Sequence, residues 1–311
     1  MKKIRTINEA QYANMFLNEE RHYPKFLDNI KSKVFNFVFD EITNCIKTRK
    51  HTFQTVMKID CEFCDEIMFN IVLHEGLDAE DRRQYKAYYI NNYCQLYNGK
   101  IYKPQITIDI PINNKWTNYF MVDYSIAHEL THLYDDWIRM KEGKESISVN
   151  YRNAENTNSV NYLLSSDGEL YKGIGVIAYL SLKVERKAFL SQTVQELKGL
   201  GCNQFNYKEK LKETTLYNNL TKGIHMFHNG LQKTNSDVLY ALNAELMSTY
   251  PKSNIPKCDI KTFNYDDYVK KLTEWVNNVY HQTMKRYGSV VSYYVDELEE
   301  EWNKHTSMFI I

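Results

Sequence analysis

His128, Glu129 and His132 are the residues of this chain whose types and spacing are best suited to chemistry. They stand in "DYSIAHELTHLYDDW", residues 123–137. On a helix, Val122, Ile126, Leu130, Leu133 and Trp137 recur every three or four residues and make one apolar stripe. His128 and His132 lie one turn apart, nearly opposite that stripe, so two imidazoles can reach one ion from a rigid support. Glu129 points about 100° away from His128, beside such an ion rather than on it. A zinc ion held there would lower the pKa of its water toward neutrality, and Glu129 could accept that water's proton as it attacks a carbonyl. The competing reading is a solvated polar helix face with two coincidental histidines. A helical period that keeps both histidines off the apolar stripe favours the metal.

A catalytic zinc takes three protein ligands and keeps one position for water. Asp135 shares the His128 face but lies seven residues on, about 10.5 Å along the axis, too far for a short side chain. Glu185, in "YLSLKVERKAFLSQ", is the better candidate. A continuous helix over about 174–198 places it on one face with Ala178, Ser181, Leu182, Ala188 and Phe189. A carboxylate on a mostly apolar face is costly unless something compensates it, and a cation does so. A buried salt bridge would also explain it, and Glu155, Glu169 and Glu196 stay open as alternatives.

The pattern His128-Glu129-Leu130-Thr131-His132, followed by a separate helix with Glu185-Arg186-Lys187-Ala188, resembles the zincin-like metallopeptidases of the gluzincin type. The resemblance covers about residues 100–195. It implies that His128, His132 and Glu185 bind Zn2+ and that Glu129 is the general base. The implied activity is a zinc-dependent hydrolase cleaving peptide bonds of a peptide or protein substrate. The fold implied is α+β and zincin-like: a small twisted sheet whose edge strand, residues 105–112, packs on the metal-binding helix and pairs with substrate, followed by a mainly helical C-terminal region. The metzincin branch would need a third histidine at position 138, where this chain has Ile138. Tyr124, His225 and His228 are the candidates for stabilising an oxyanion, although residues of this kind are more often structural or exposed. A catalytically inactive scaffold of the same type, with a binding, structural or regulatory role, is the alternative.

The elements that must position these residues are partly visible. Residues 6–50 read as helical, with Thr6 and Glu9 as a capping box and a second apolar run after Pro24. "TFQTVMKID" is a candidate strand, and Asn98-Gly99 in "LYNGKIY" signals a hairpin. In "QITIDIPIN", Ile106, Ile108, Ile110 and Ile112 alternate with Thr107, Asp109 and Pro111, so one face is apolar and Pro111 favours a sheet edge. "KEGKESISVNYRNAENTNS" reads as a surface loop. Residues 205–305 alternate amphipathic helices with breaks near "NSD" and "PKSNIPK". Two regions follow: 1–200, zincin-like and metal-binding, and 201–311, helical.

Composition narrows the classes. With 39 basic against 39 acidic residues, no overall field draws the chain to nucleic acid or anionic lipid. The longest nearly apolar run, "GIGVIAYLSL", is too short to span a bilayer, and no apolar stretch follows the basic start "MKKIRTINEAQY". Six scattered cysteines fit reduced thiols in a cytoplasm. Cys61 and Cys64 are a lone pair at metal-knuckle spacing with no second pair to complete a site, and they read as structural or incidental. The acidic run "DELEEEW" reads as a solvated helix face, and "YKAYYINNYCQLY" as half-buried sheet or helix.

Overall fold

The computed structural model describes residues 26–75, 86–112, 119–149, 155–203 and 205–307. The capping box expected at Thr6 and Glu9 lies outside them. Two compact units divide the chain between Tyr151 and Arg152. The architecture is α+β: a small sheet with two long helices in one unit, helices alone in the other. Among the described residues no helix is long and apolar enough to cross a membrane.

In the first unit, α1 (Phe26–Thr48) precedes β1 (Thr52–Lys58), β2 (Glu66–Glu75), β3 (Lys86–Ile90), β4 (Leu96–Tyr97), β5 (Lys100–Ile101) and β6 (Gln105–Ile112). Helix α2 (Tyr119–Lys141) follows. The main sheet has the order β1-β2-β6-β3, with β2 and β6 parallel and the outer strands antiparallel. The register sets Phe69 beside Ile106, Ile71 beside Ile108 and Leu73 beside Ile110. With Ile67, these side chains build one buried apolar face. That face packs with Val34, Val38 and Ile42 of α1 and with Ile126, Leu130 and Leu133 of α2 in a single core. The hairpin forms where Asn98-Gly99 predicts it, with both residues at positive φ (51° and 77°) as a tight two-residue turn requires.

Two expectations fail here. Residues 105–112 form an interior strand, paired on both sides, and not the sheet edge. Ile106 and Ile108 are fully buried, and so, nearly, is Thr107 between them, while Gln105 and Asp109 on the face of Thr107 are half-buried. Among the described residues β3 pairs with β6 from Gln105 to Asp109, and Pro111 is paired with His74 of β2. The edge strands are β1 and β3, and β3 is the one beside α2. The second failure concerns the stretch read as a loop, "KEGKESISVNYRNAENTNS", because residues 155–159 are already helical.

Helix α2 is held by a buried carboxylate. Asp136, fully buried, accepts hydrogen bonds from the Tyr89 hydroxyl (2.7 Å), Asn91 Nδ2 (3.0 Å), Ser146 Oγ (3.0 Å) and the Ile147 backbone N–H (2.6 Å). It thereby pins the helix to the end of β3 and to the segment that leaves the helix. Trp137 Nε1 donates to the Gly99 carbonyl (2.9 Å), and Lys31 of α1 pairs with Asp123 at 3.0 Å.

The second unit is helical: α3 (Glu155–Ser165), α4 (Glu169–Ser181), α5 (Lys183–Gly199), α6 (Tyr207–Leu211), α7 (Thr215–Gln232), α8 (Ser236–Thr249) and α9 (Tyr265–Ser307). Its main core gathers Ile174, Ile177, Phe227, Leu242, Leu246, Tyr268 and Leu272. Helices α4 and α7 approach backbone to backbone, since a Cβ at Gly173 or Gly230 would collide with the main chain of Phe227 or Leu170. The continuous helix expected over 174–198 is two helices, because Leu182 is extended (φ −62°, ψ 134°).

Removing a buried acceptor leaves its donors desolvated and unmatched. Asp136→Ala is expected to lower the stability of the first unit by about 3–5 kcal/mol, read from urea unfolding followed by the circular dichroism of the full chain. A loss under about 1 kcal/mol would show that the four donors are satisfied in some other way.

Candidate metal centre

The apolar stripe of α2 forms as its spacing predicts, with Val122, Ile126, Leu130, Leu133 and Trp137 all buried. The opposite face is not solvated. Every residue from Ile126 to Tyr134 is buried, including His128 (6% exposed), Glu129 (4%) and His132 (8%). An ordinary polar surface would leave these side chains in water, so that reading is excluded. The two imidazoles lie one turn apart as expected, ring centroids 4.8 Å from each other and nearly perpendicular (75°). Thr131, between them, turns its hydroxyl back onto the Ala127 carbonyl at 2.8 Å.

Glu185 is also buried (4% exposed), as the apolar character of its face predicts. Its surroundings differ from those expected. The break at Leu182 puts Ala178 and Ser181 on α4, and only Ala188 and Phe189 share α5 and a buried face with Glu185. Glu185 occupies the first turn of α5, where no side chain caps the helix. A carboxylate is favoured there by the free N–H groups and the helix dipole. It accepts a 2.7 Å hydrogen bond from the hydroxyl of Tyr179, near the end of α4. Sequence reasoning missed Tyr179. It stands six residues before Glu185, and a continuous helix would turn the two apart; only the break at Leu182 lets them meet.

Ligand atoms of His128, His132 and Glu185 all lie within 4.8 Å of one another, the one such grouping of histidine, cysteine and acidic residues among those described. A tetrahedral zinc with bonds near 2.1 Å sets its ligand atoms about 3.4 Å apart. Closing the remainder takes side-chain rotation. Two nitrogens and one carboxylate oxygen suit zinc, with a fourth position left over.

The alternative acids are engaged elsewhere. Glu169 pairs with Lys233 at 2.7 Å, Glu155 accepts from the Lys252 backbone N–H, and buried Glu196 accepts from Gln192 (2.8 Å) and the Thr215 backbone N–H (2.7 Å). Asp135 is half-buried and outside the grouping. Tyr124 is half-buried one turn before His128, whereas His225 and His228 are exposed on α7, His225 beside Asn229 at 3.0 Å. Comparison with protein-family models, curated proteins and solved structures finds no match to this chain.

A carboxylate oriented by a phenol should bind metal less tightly once that phenol is removed. Zinc titration against a competing chelator is expected to give one site per chain. Tyr179→Phe should weaken it about 10- to 100-fold, and His132→Ala should abolish it. Equal affinity in all three proteins would dissolve the centre.

Proposed function

We propose that the protein is a zinc-dependent peptidase with the gluzincin arrangement, in which His128, His132 and Glu185 hold the ion and Glu129 is the general base. What carries the reading is the grouping of two imidazoles and one carboxylate, all buried, with a second acidic side chain, Glu129, placed between the histidines in sequence. Three buried ionisable groups at one place are costly without compensation, and a divalent cation compensates all of them together.

Zinc supplies Lewis acidity, lowering the pKa of coordinated water toward neutrality and polarising a substrate carbonyl. The remaining work falls to the chain's own residues. The imidazoles are presented from a single rigid helix turn, so their separation is set by backbone geometry. Tyr179 holds one Glu185 oxygen and so orients the carboxylate. Glu129, about 100° around the helix from His128, takes a proton from the attacking water and returns it to the departing amine. Burial strengthens each of these charge interactions by excluding water. An extended substrate would pair with β3, the edge strand beside α2.

Glu129→Gln keeps size and hydrogen bonding but cannot accept the proton. It is expected to retain one zinc per chain while hydrolysis of a quenched-fluorescence peptide library falls by about 10²–10⁴. Undiminished turnover in this variant would remove the mechanism. Zinc binding without any peptide hydrolysis in the natural sequence would favour a non-catalytic metal-binding scaffold.

A further inference from the structure

The second grouping of reactive side chains lies far along the chain from the histidines, in "CEFC", residues 61–64. This segment joins β1 to β2 and is closed by the hydrogen bond from the Ile59 N–H to the Asp65 carbonyl (2.8 Å). Its sulfur atoms are 3.6 Å apart and hydrogen-bonded. Cys61 also donates to the Cys64 carbonyl (3.1 Å). The pair is asymmetric. Cys61 is partly exposed, whereas Cys64 is fully buried beside Phe63, which packs on Tyr134 and Trp137 of α2. Metal binding is disfavoured, because among the described residues no further cysteine, histidine or acid joins these two in a ligand grouping.

We propose that Cys61 and Cys64 form a redox-active dithiol that reduces organic disulfides, with Cys61 as the attacking sulfur and Cys64 as the resolving one. The Cys61 thiolate attacks one sulfur of a disulfide RSSR, forming a Cys61–S–SR bond and expelling RS⁻, which takes up a proton. Cys64 loses its proton to solvent and attacks Cys61 Sγ, forming the Cys61–Cys64 bond and expelling the second thiolate. Two protein thiols are oxidised and one RSSR becomes two RSH, so no other electron carrier is needed. The sulfurs must close from 3.6 Å to about 2.05 Å.

The electrostatics agree with these roles. The hydrogen bond from the Cys64 thiol lowers the Cys61 pKa to about 7 against the opposing effect of burial, helped by backbone hydrogen bonds at Cys64 and Phe63 and by Lys100. The same hydrogen bond, and then burial, push Cys64 far up, with Asp65 adding to the rise. Lys100, itself paired with Asp65 and near Asp60, is the cation facing the pair.

Full-length protein treated with oxidised glutathione, alkylated and mapped by mass spectrometry tests the assignment. The expected product is a single Cys61–Cys64 disulfide, with the other four cysteines still free. Cys64→Ser should trap one glutathione on Cys61. A thiol of pKa near 7 carries about sixteen times the thiolate of an ordinary one at pH 7, and its weaker nucleophilicity offsets about fivefold of that. Iodoacetamide should therefore modify Cys61 of reduced protein roughly threefold faster than an unperturbed exposed thiol, its rate rising through pH 7 and levelling above it. Three results would overturn the proposal: glutathione spread over all six cysteines, no Cys61–Cys64 bond in the natural sequence, or a Cys61 inflection near pH 8.5. If Cys64→Ser fails to fold by circular dichroism, the map of the natural sequence decides alone.

Discussion

Helix α2 is buried on every side from Ile126 to Tyr134, and the placement of polar groups around it follows from that constraint. A helix turn without water cannot carry a polar side chain that nothing answers, because the unmatched group costs on the order of 1–3 kcal/mol and more if charged. Thr131 meets the requirement locally, by returning its hydroxyl to the helix's own backbone. Asp136 meets it with four donors drawn from two segments, the end of β3 and the stretch that leaves the helix. His128, Glu129 and His132 are buried on the same stretch of the helix.

Asp136 and the histidines are linked through the rigidity of the helix that carries both. The carboxylate anchors the helix just after the histidine pair, to Tyr89 and Asn91 at the end of β3. Lys31 pairs with Asp123 in the half before the pair. Trp137 adds a third attachment at the β4–β5 turn through its indole N–H. With both halves fixed, the 4.8 Å separation of the imidazole rings is set by the helix repeat and not by loop geometry. One backbone element thus fixes both imidazoles.

Local rules in the sequence accounted for much of this. The stripe of Val122, Ile126, Leu130, Leu133 and Trp137 has a helical period, and it is buried as that period requires. Asn98-Gly99 specified a turn because both residues tolerate positive φ. "TFQTVMKID" alternates in exposure along β1 as a strand with one covered face must. The failures were non-local. Strand β6 alternates as a half-exposed edge strand would, yet it lies between β2 and β3 and its Thr107 is buried, and no pattern within eight residues announces a partner on each side. Asp136 looked like one more acid in "YDDW", and its partners come from positions 89, 91, 146 and 147. Glu185 was legible as a buried carboxylate, but its hydrogen-bond partner was not.

The break at Leu182 shows why. Helix boundaries are usually signalled by Gly, Pro or a capping Ser, Thr, Asp or Asn, and "AYLSLKVERKA" has none of these at the point where the chain turns. Ser181, just before the N-cap position, does not cap α5: its hydroxyl donates backward to the Ala178 carbonyl at 2.7 Å. The chain changes direction at Leu182, which leaves the helical conformation, and across that break Leu180 of α4 packs with Phe189 of α5 and with Leu216 and Leu220 of α7 in one buried cluster. That change moves Glu185 from mid-helix to a first turn, where free N–H groups favour a negative side chain, and brings Tyr179 onto its carboxylate. The close backbone contact of α4 with α7 at Gly173 and Gly230 then fixes the helix that bears Tyr179. A substitution at either glycine should therefore disturb Glu185 without touching it, because the phenol that orients the carboxylate rides on the helix those glycines seat.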